Sequence, residues 1–302
     1  MWVHKAMHTF MTARRAGVIV SLCALAAACG PSPDTTPAQG SVAVSLSRPR
    51  VALGSPVDIT YKFTLAGDAT SLGARKVFVH FMDADGEQMW TDDHDPPTAT
   101  ASWKPGQTVE YTRTVFAPVY NYVGQATIVA GLYDPASGDR VKFTGTDAGG
   151  RAYEAAQFEV LPQTENIFLI FKDGWHPVEA AADNSMVEWQ WTKKEATLAF
   201  RNPRRDAVLF FQADNPGKAA TAATKVELRL GDQVLATVAL GADGPVQKIP
   251  LPAAAMGGGD MVELRLVVDQ TFVPALEPGA QSSDPRELGA RVFHAFVQPH
   301  GS

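Results

Sequence analysis

From Ser41 onward the apolar positions recur every second residue. Val57, Ile59, Tyr61, Phe63 and Leu65 alternate with Asp58, Thr60, Lys62 and Thr64, so one face of an extended strand meets a core and the other meets water. Val42, Val44 and Leu46 repeat the pattern, as do Val109, Tyr111 and Val115. Residues 76–82 and 125–133 are apolar on both parities, which predicts central strands. Between these runs fall Asp85-Gly86, Pro105-Gly106, Asp134-Pro135 and Ser137-Gly138, residues that reverse a chain through fixed or positive φ and local side-chain hydrogen bonds. No amphipathic helix stands out among them, and the set closes near Val160.

Residues 162–166 mark a seam, after which strands are predicted over 167–171, 187–191, 195–201 and 207–212. The clearest hairpin follows. Val226, Leu228 and Leu230 alternate with Glu227 and Arg229, Gly231-Asp232 turns the chain, and 234–240 returns. Strands over 261–269 and 291–297 bring the set to about eight, a number that suits a jelly roll. The expected fold is all-β, with two antiparallel β-sandwich domains, immunoglobulin-like over 42–161 and jelly-roll-like over 167–299.

The N-terminus reads differently. Lys5, Arg14 and Arg15 precede an apolar run over 16–28, the layout of a signal peptide. Thirteen helical residues span about 20 Å, short of the roughly 30 Å a bilayer core requires. The run ends Leu25-Ala26-Ala27-Ala28-Cys29-Gly30, which resembles a bacterial lipoprotein cleavage box, in which small residues admit the peptidase and the cysteine thiol takes up diacylglycerol. Ala26 departs from the larger aliphatic residue usual at its place. The resemblance implies lipidation at Cys29, with palmitate among the acyl chains, and Gly30 implies sorting to the outer membrane, facing the periplasm. The alternative is an ordinary secretory signal cut after Ala28. That would leave Cys29 an unpaired thiol in an oxidising compartment, since Cys23 departs with the signal. Met7 or Met11 serves equally as a start. Residues 29–41, rich in Pro, Thr and Ser, read as a flexible tether.

Charge adds to this picture. The 302 residues carry a formal net charge of −6. Removing 1–28 takes three of the 26 cations and none of the 32 acids, leaving 23 against 32 and a net charge of −9. An anionic membrane would repel such a protein, so attachment has to come from acyl chains. Without a concentrated basic cluster beyond the N-terminus, nucleic acid is not an expected partner.

Both halves carry a family resemblance. Val77-Phe78-Val79-His80-Phe81, Asp83-Ala84-Asp85-Gly86, Trp103-Lys104-Pro105-Gly106-Gln107 and Gly131-Leu132-Tyr133-Asp134 resemble immunoglobulin-like modules of bacterial membrane glycosyltransferases and related envelope proteins. Gly174-Trp175, Glu179, Trp189-Gln190-Trp191-Thr192, Phe272-Val273-Pro274 and Asp284-Pro285-Arg286-Glu287-Leu288-Gly289 resemble galactose-binding-type sandwiches found beside glycosyltransferases. These motifs define folds, and no glycosyltransferase catalytic domain accompanies them.

Candidate chemistry is sparse. Asp92, Asp93, His94 and Asp95, with His80 one strand earlier, offer carboxylates and imidazoles that could hold Ca²⁺. Neighbours on a strand point to opposite faces, so convergence would need a sharp loop, and solvated turn-capping is the plainer reading. No other cofactor is expected. Trp189 and Trp191 share a strand face and Trp175 precedes them; exposed, they would stack sugar rings, and buried they are core. Arg286 beside Asp284 and Glu287 is either a structural latch or an anionic-ligand contact. Arg201, Arg204 and Arg205 form a basic knuckle that is either a solvated turn or a meeting point for an acidic glycan. The G-x-S-x-G, H-E-x-x-H, C-x-x-C and P-loop motifs are all absent. The expected function is therefore a lipid-anchored, non-enzymatic envelope protein that binds or scaffolds carbohydrate or polysaccharide-assembly partners. The alternatives are a metal- or carboxylate-dependent hydrolase of surface glycan and a purely structural subunit.

Overall fold

The structure, a computed structural model, describes residues 34–182, 187–217, 224–241, 244–277 and 279–301. The signal segment, Cys29 and the first tether residues lie outside the described residues. Among the described residues no helix is long and apolar enough to cross a membrane. Pro37–Ser302 forms one compact unit.

The first sandwich contains β1 (Gly40–Leu46), β2 (Arg50–Ala52), β3 (Pro56–Leu65), β4 (Lys76–Met82), β5 (Gln88–Thr91), β6 (Thr108–Phe116), β7 (Gly124–Tyr133) and β8 (Tyr153–Leu161). β1 takes in Gly40 and Ser41, which the sequence assigns to the tether, because Gln39 is already fastened: its Oε1 accepts from the Thr70 amide at 2.7 Å and the Thr70 hydroxyl at 2.9 Å. The sheets run β1-β3-β6 and β2-β8-β7-β4-β5. Pairing is antiparallel except for β2, which lies parallel to β8. Alternation puts Ile59, Tyr61 and Phe63 of one sheet against Val77, Val79, Ile128 and Leu132 of the other. The double-sided apolar character of β4 and β7 has a second cause: Phe78 and Val129 point away from this core into a smaller one with Ala152, and the Arg140 guanidinium lies 4.3 Å over the Phe78 ring.

The second sandwich contains β9 (Leu169–Phe171), β10 (Glu179–Ala180), β11 (Glu188–Trp191), β12 (Glu195–Arg201), β13 (Ala207–Asp214), β14 (Thr224–Leu230), β15 (Gln233–Leu240), β16 (Gln247–Leu251), β17 (Met261–Val268) and β18 (Arg291–Pro299). The sheets run β10-β11-β18-β13-β16 and β15-β14-β17-β12-β9. The additional strands are β10, only two residues long, and β16, an edge strand whose Pro250 hides its character in the sequence. Gly231, at φ +57°, makes the β14–β15 reversal, where a side chain would be strained. Leu198, Phe200, Leu209, Phe211, Val226, Leu228, Leu264 and Leu266 fill this core and are almost wholly inaccessible.

The sandwiches meet across outer sheet faces. Phe116 at the end of β6 stacks on His294 of β18 with centroids 4.0 Å apart and planes at 9°. Lys248 Nζ of β16 reaches both carboxylate oxygens of Asp58 on β3 at 2.6 Å. The linker adds two ties: Asn166 Nδ2 donates to Leu53 O at 2.6 Å, and Ile167 pairs with Val297 of β18.

Candidate functional site

These ties frame a cleft of about 650 Å³ between the sandwiches. One wall comes from the turn between β1 and β3. Ser55 is buried there, donating to Ala52 O at 2.7 Å and accepting from Arg48 Nη2 at 2.8 Å, while Arg48 also reaches Pro56 O at 2.6 Å. Burial lowers the Arg48 pKa below the usual arginine value, with Asp58 acting against the shift, and its Nε is buried without a hydrogen-bond partner. Arg50 uses Nε on Glu159 at 2.8 Å. The opposite wall is the 201–205 knuckle between β12 and β13. Buried Asn202 organises it, donating from Nδ2 to Gly257 O and Gly259 O at 3.0 Å and accepting the Arg204 amide at 2.9 Å. These bonds hold Arg204 at φ +58°, a left-handed conformation unusual for a branchless cation, and its guanidinium pairs with Asp260 at 2.6 Å. The side chains of Arg201 and Arg205 are exposed and make no hydrogen bond or ion pair with any described residue. Pro203, Ile167 and Phe296 give the cleft an apolar component.

The metal candidates do not converge. Strand alternation sends Asp92 and His94 inward and Asp93 and Asp95 outward. Asp92 accepts from Tyr61 Oη at 2.9 Å, Arg113 Nε at 3.1 Å and Arg113 Nη2 at 3.0 Å. His94 Nδ1 lies 2.6 Å from Asp92 O and Nε2 lies 2.8 Å from Tyr111 Oη. A carbonyl only accepts, so Nδ1 carries the proton and Nε2 accepts from the tyrosine. Burial lowers the His94 pKa and raises those of Tyr61 and Tyr111. On the outer side His80 Nε2 is 3.7 Å from Asp93 and Lys76 pairs with Asp95 at 3.3 Å. Among the described residues, no group of three or more His, Cys, Asp or Glu is placed to hold a metal ion.

The tryptophans separate too. Trp191 is buried, with Phe272 at 5.7 Å in an edge-on contact, and Trp189 is half-buried against Phe293 at 6.1 Å. Between them stands the Arg291 guanidinium, 5.2 Å from the Trp189 ring and 5.7 Å from Trp191, held on Asp214 by bonds of 2.7 and 2.6 Å. The shared face is thus occupied from within by a cation paired to a buried carboxylate. Trp175 packs instead on the second core, its Nε1 donating to Thr197 O at 2.9 Å. Arg286 pairs with Asp284 through Nε at 3.0 Å and Nη2 at 2.7 Å, and with Glu179 through Nη1 at 2.6 Å. Those bonds, Arg286's side chain foremost, hold the Asp284 carboxyl down to about 2. None of these candidates lines the cleft, whose sequence signal was the 201–205 knuckle alone.

No family model matches the sequence, and no curated protein matches it. Among solved structures, the chain is similar to the CBM51-2 and INT domains of Clostridium perfringens ZmpB, in complex with GlcNAc. Identity is 12% and the TM-score 0.24, over 61% of this chain and 39% of that one. It is similar to the collagen adhesin (CNA) of S. aureus at 7% identity and a TM-score of 0.17, over 87% of this chain and 97% of that one. Likewise it is similar to the collagen binding domain of Erysipelothrix rhusiopathiae surface protein RspB, at 7% identity and a TM-score of 0.16, over 86% and 95%. The chain spans about two fifths of the first of these. At scores this low, the architecture of the chain is defined by its own sheets and cores.

Proposed function

We propose that this protein is a lipid-anchored, non-enzymatic component of the bacterial cell envelope that binds carbohydrate presented by envelope or polysaccharide-assembly partners. The observation that carries the binding role is the cleft between the sandwiches, whose walls stand on loops fixed by Asn202, Ser55 and Asn166. Its volume, about 650 Å³, falls within the range of sites that enclose a small organic ligand, roughly 300–1,000 Å³. Polar backbone, guanidinium groups and the Phe296 ring together suit a sugar, which has hydroxyl rims and an apolar C–H face. The anchor rests on the sequence around Cys29. Acyl chains at Cys29 and the tether would raise the local concentration of the cleft near membrane-bound partners.

Two measurements test this reading. Mass spectrometry of the amino-terminal peptide from membranes is expected to show an acylated Cys29, and Cys29→Ser is expected to abolish the acylation. The detergent-solubilised protein on an array of neutral and acidic glycans is expected to retain at least one saccharide class, with retention lost when Arg205→Trp, at an exposed lining position, obstructs the cleft. An array that stays blank with folded protein overturns the binding role.

A further inference from the structure

We infer that the cleft is specific for a saccharide carrying carboxylates, a uronate-type oligosaccharide held between arginines of the two sandwiches. This rests on the carbohydrate-binding reading above and narrows it to one ligand chemistry. The first sandwich contributes Arg48 and Arg50; the second contributes Arg201, Arg204 and Arg205. Against five arginines the lining holds one acid, Glu165, and with the external partners Glu159 and Asp260 included the cations still outnumber acids by two. That surplus sits in a chain whose overall formal charge is −6, so it is local and opposes the field of the rest of the molecule.

The arginines divide by what they already do. Arg204 is engaged with Asp260 and helps shape its loop, whereas Arg201 and Arg205 are exposed and unpaired among the described residues. Arg50 spends only Nε on Glu159, leaving its terminal nitrogens open. A guanidinium meets a carboxylate through two parallel N–H···O bonds, and such charge-assisted bonds are about twice as strong as neutral ones. Charges spread over two walls fit anions repeated along a scaffold better than one compact anion. Phe296, Pro203 and Ile167 between them give the sugar ring an apolar floor. A net-negative exterior would repel a polyanion elsewhere, so binding is confined to this seam.

The test is titration calorimetry of the full detergent-solubilised protein with four probes: a galacturonate hexamer, its fully methyl-esterified form, a neutral galactose hexamer and pyrophosphate. The acidic hexamer is expected to bind, more weakly as salt rises, and the ester and neutral hexamer at least tenfold more weakly. Arg201→Ala with Arg205→Ala is expected to cost the acidic hexamer about tenfold or more in affinity at unchanged melting temperature. Arg201→Lys with Arg205→Lys is expected to restore part of it, because the charge survives and the fork does not. Equal binding of neutral and acidic hexamers overturns the carboxylate inference and leaves the carbohydrate reading standing. Binding of pyrophosphate alone overturns the saccharide scaffold in favour of a compact-anion site. Silence from all three hexamers overturns the uronate inference and leaves the carbohydrate reading to the glycan array, and acidic binding untouched by the arginine variants overturns the placement of the site in this cleft.

Discussion

The Asp92–His94 cluster and the arginine cleft teach opposite lessons about where chemistry lies. The first is the densest polar stretch in the sequence, yet every group in it is answered within the sandwich: Asp92 by Tyr61 and Arg113, His94 by Tyr111 and the Asp92 carbonyl. The second is scattered over residues 48–55, 161–167, 201–205 and 296–299, and two of its guanidinium groups meet no described partner. A satisfied buried network stabilises; an unsatisfied exposed one is free to recognise.

Substitutions can break that contrast. The largest effect is expected from Asp92→Ala, which strands Tyr61 and Arg113 and should cost about 3 kcal/mol in denaturant unfolding, discounted for the partial exposure of Arg113, with ligand affinity intact. Asn202→Ala comes next, at about 2 kcal/mol, because two glycine carbonyls lose their donor. Unlike the first, it should also weaken the acidic hexamer severalfold by loosening the knuckle. Lowering pH is the third probe. The folded His94 pKa lies below the unfolded value of about 6.5, so the unfolded chain binds the proton more readily. Its contribution is complete above that value and is lost as pH falls through the depressed one. His94→Gln should flatten this part of a stability-versus-pH curve. Lys248→Ala, breaking a half-exposed pair between the sandwiches, should cost about 0.5 kcal/mol. The Arg201→Ala, Arg205→Ala protein should unfold within about 0.5 kcal/mol of the parent. A large loss of stability there would make the knuckle another structural cluster and erase the comparison.

Much of the fold was legible because strand alternation is a local signal: β3, β12 and the β14–β15 hairpin stand where the pattern puts them. The short β2, β5, β10 and β16 escaped it, as two to five residues cannot display a period, and β2 pairs in parallel with a strand over one hundred residues away. The tryptophan pair was correctly set on one strand face, but nothing local announces that Arg291, a hundred residues on, fills it. The knuckle was visible as a run of arginines in an acidic chain. Its meeting with Arg48 and Arg50 depends on how the sandwiches dock, which is a long-range property.

The end of the linker is fastened to both sandwiches, by Asn166 on Leu53 and Ile167 on Val297. A groove braced in this way behaves as a mould and not as a jaw. Its gauge is set before any guest arrives, so selectivity must come from the spacing of charges along the guest, and the occupied and empty forms should scatter X-rays almost identically.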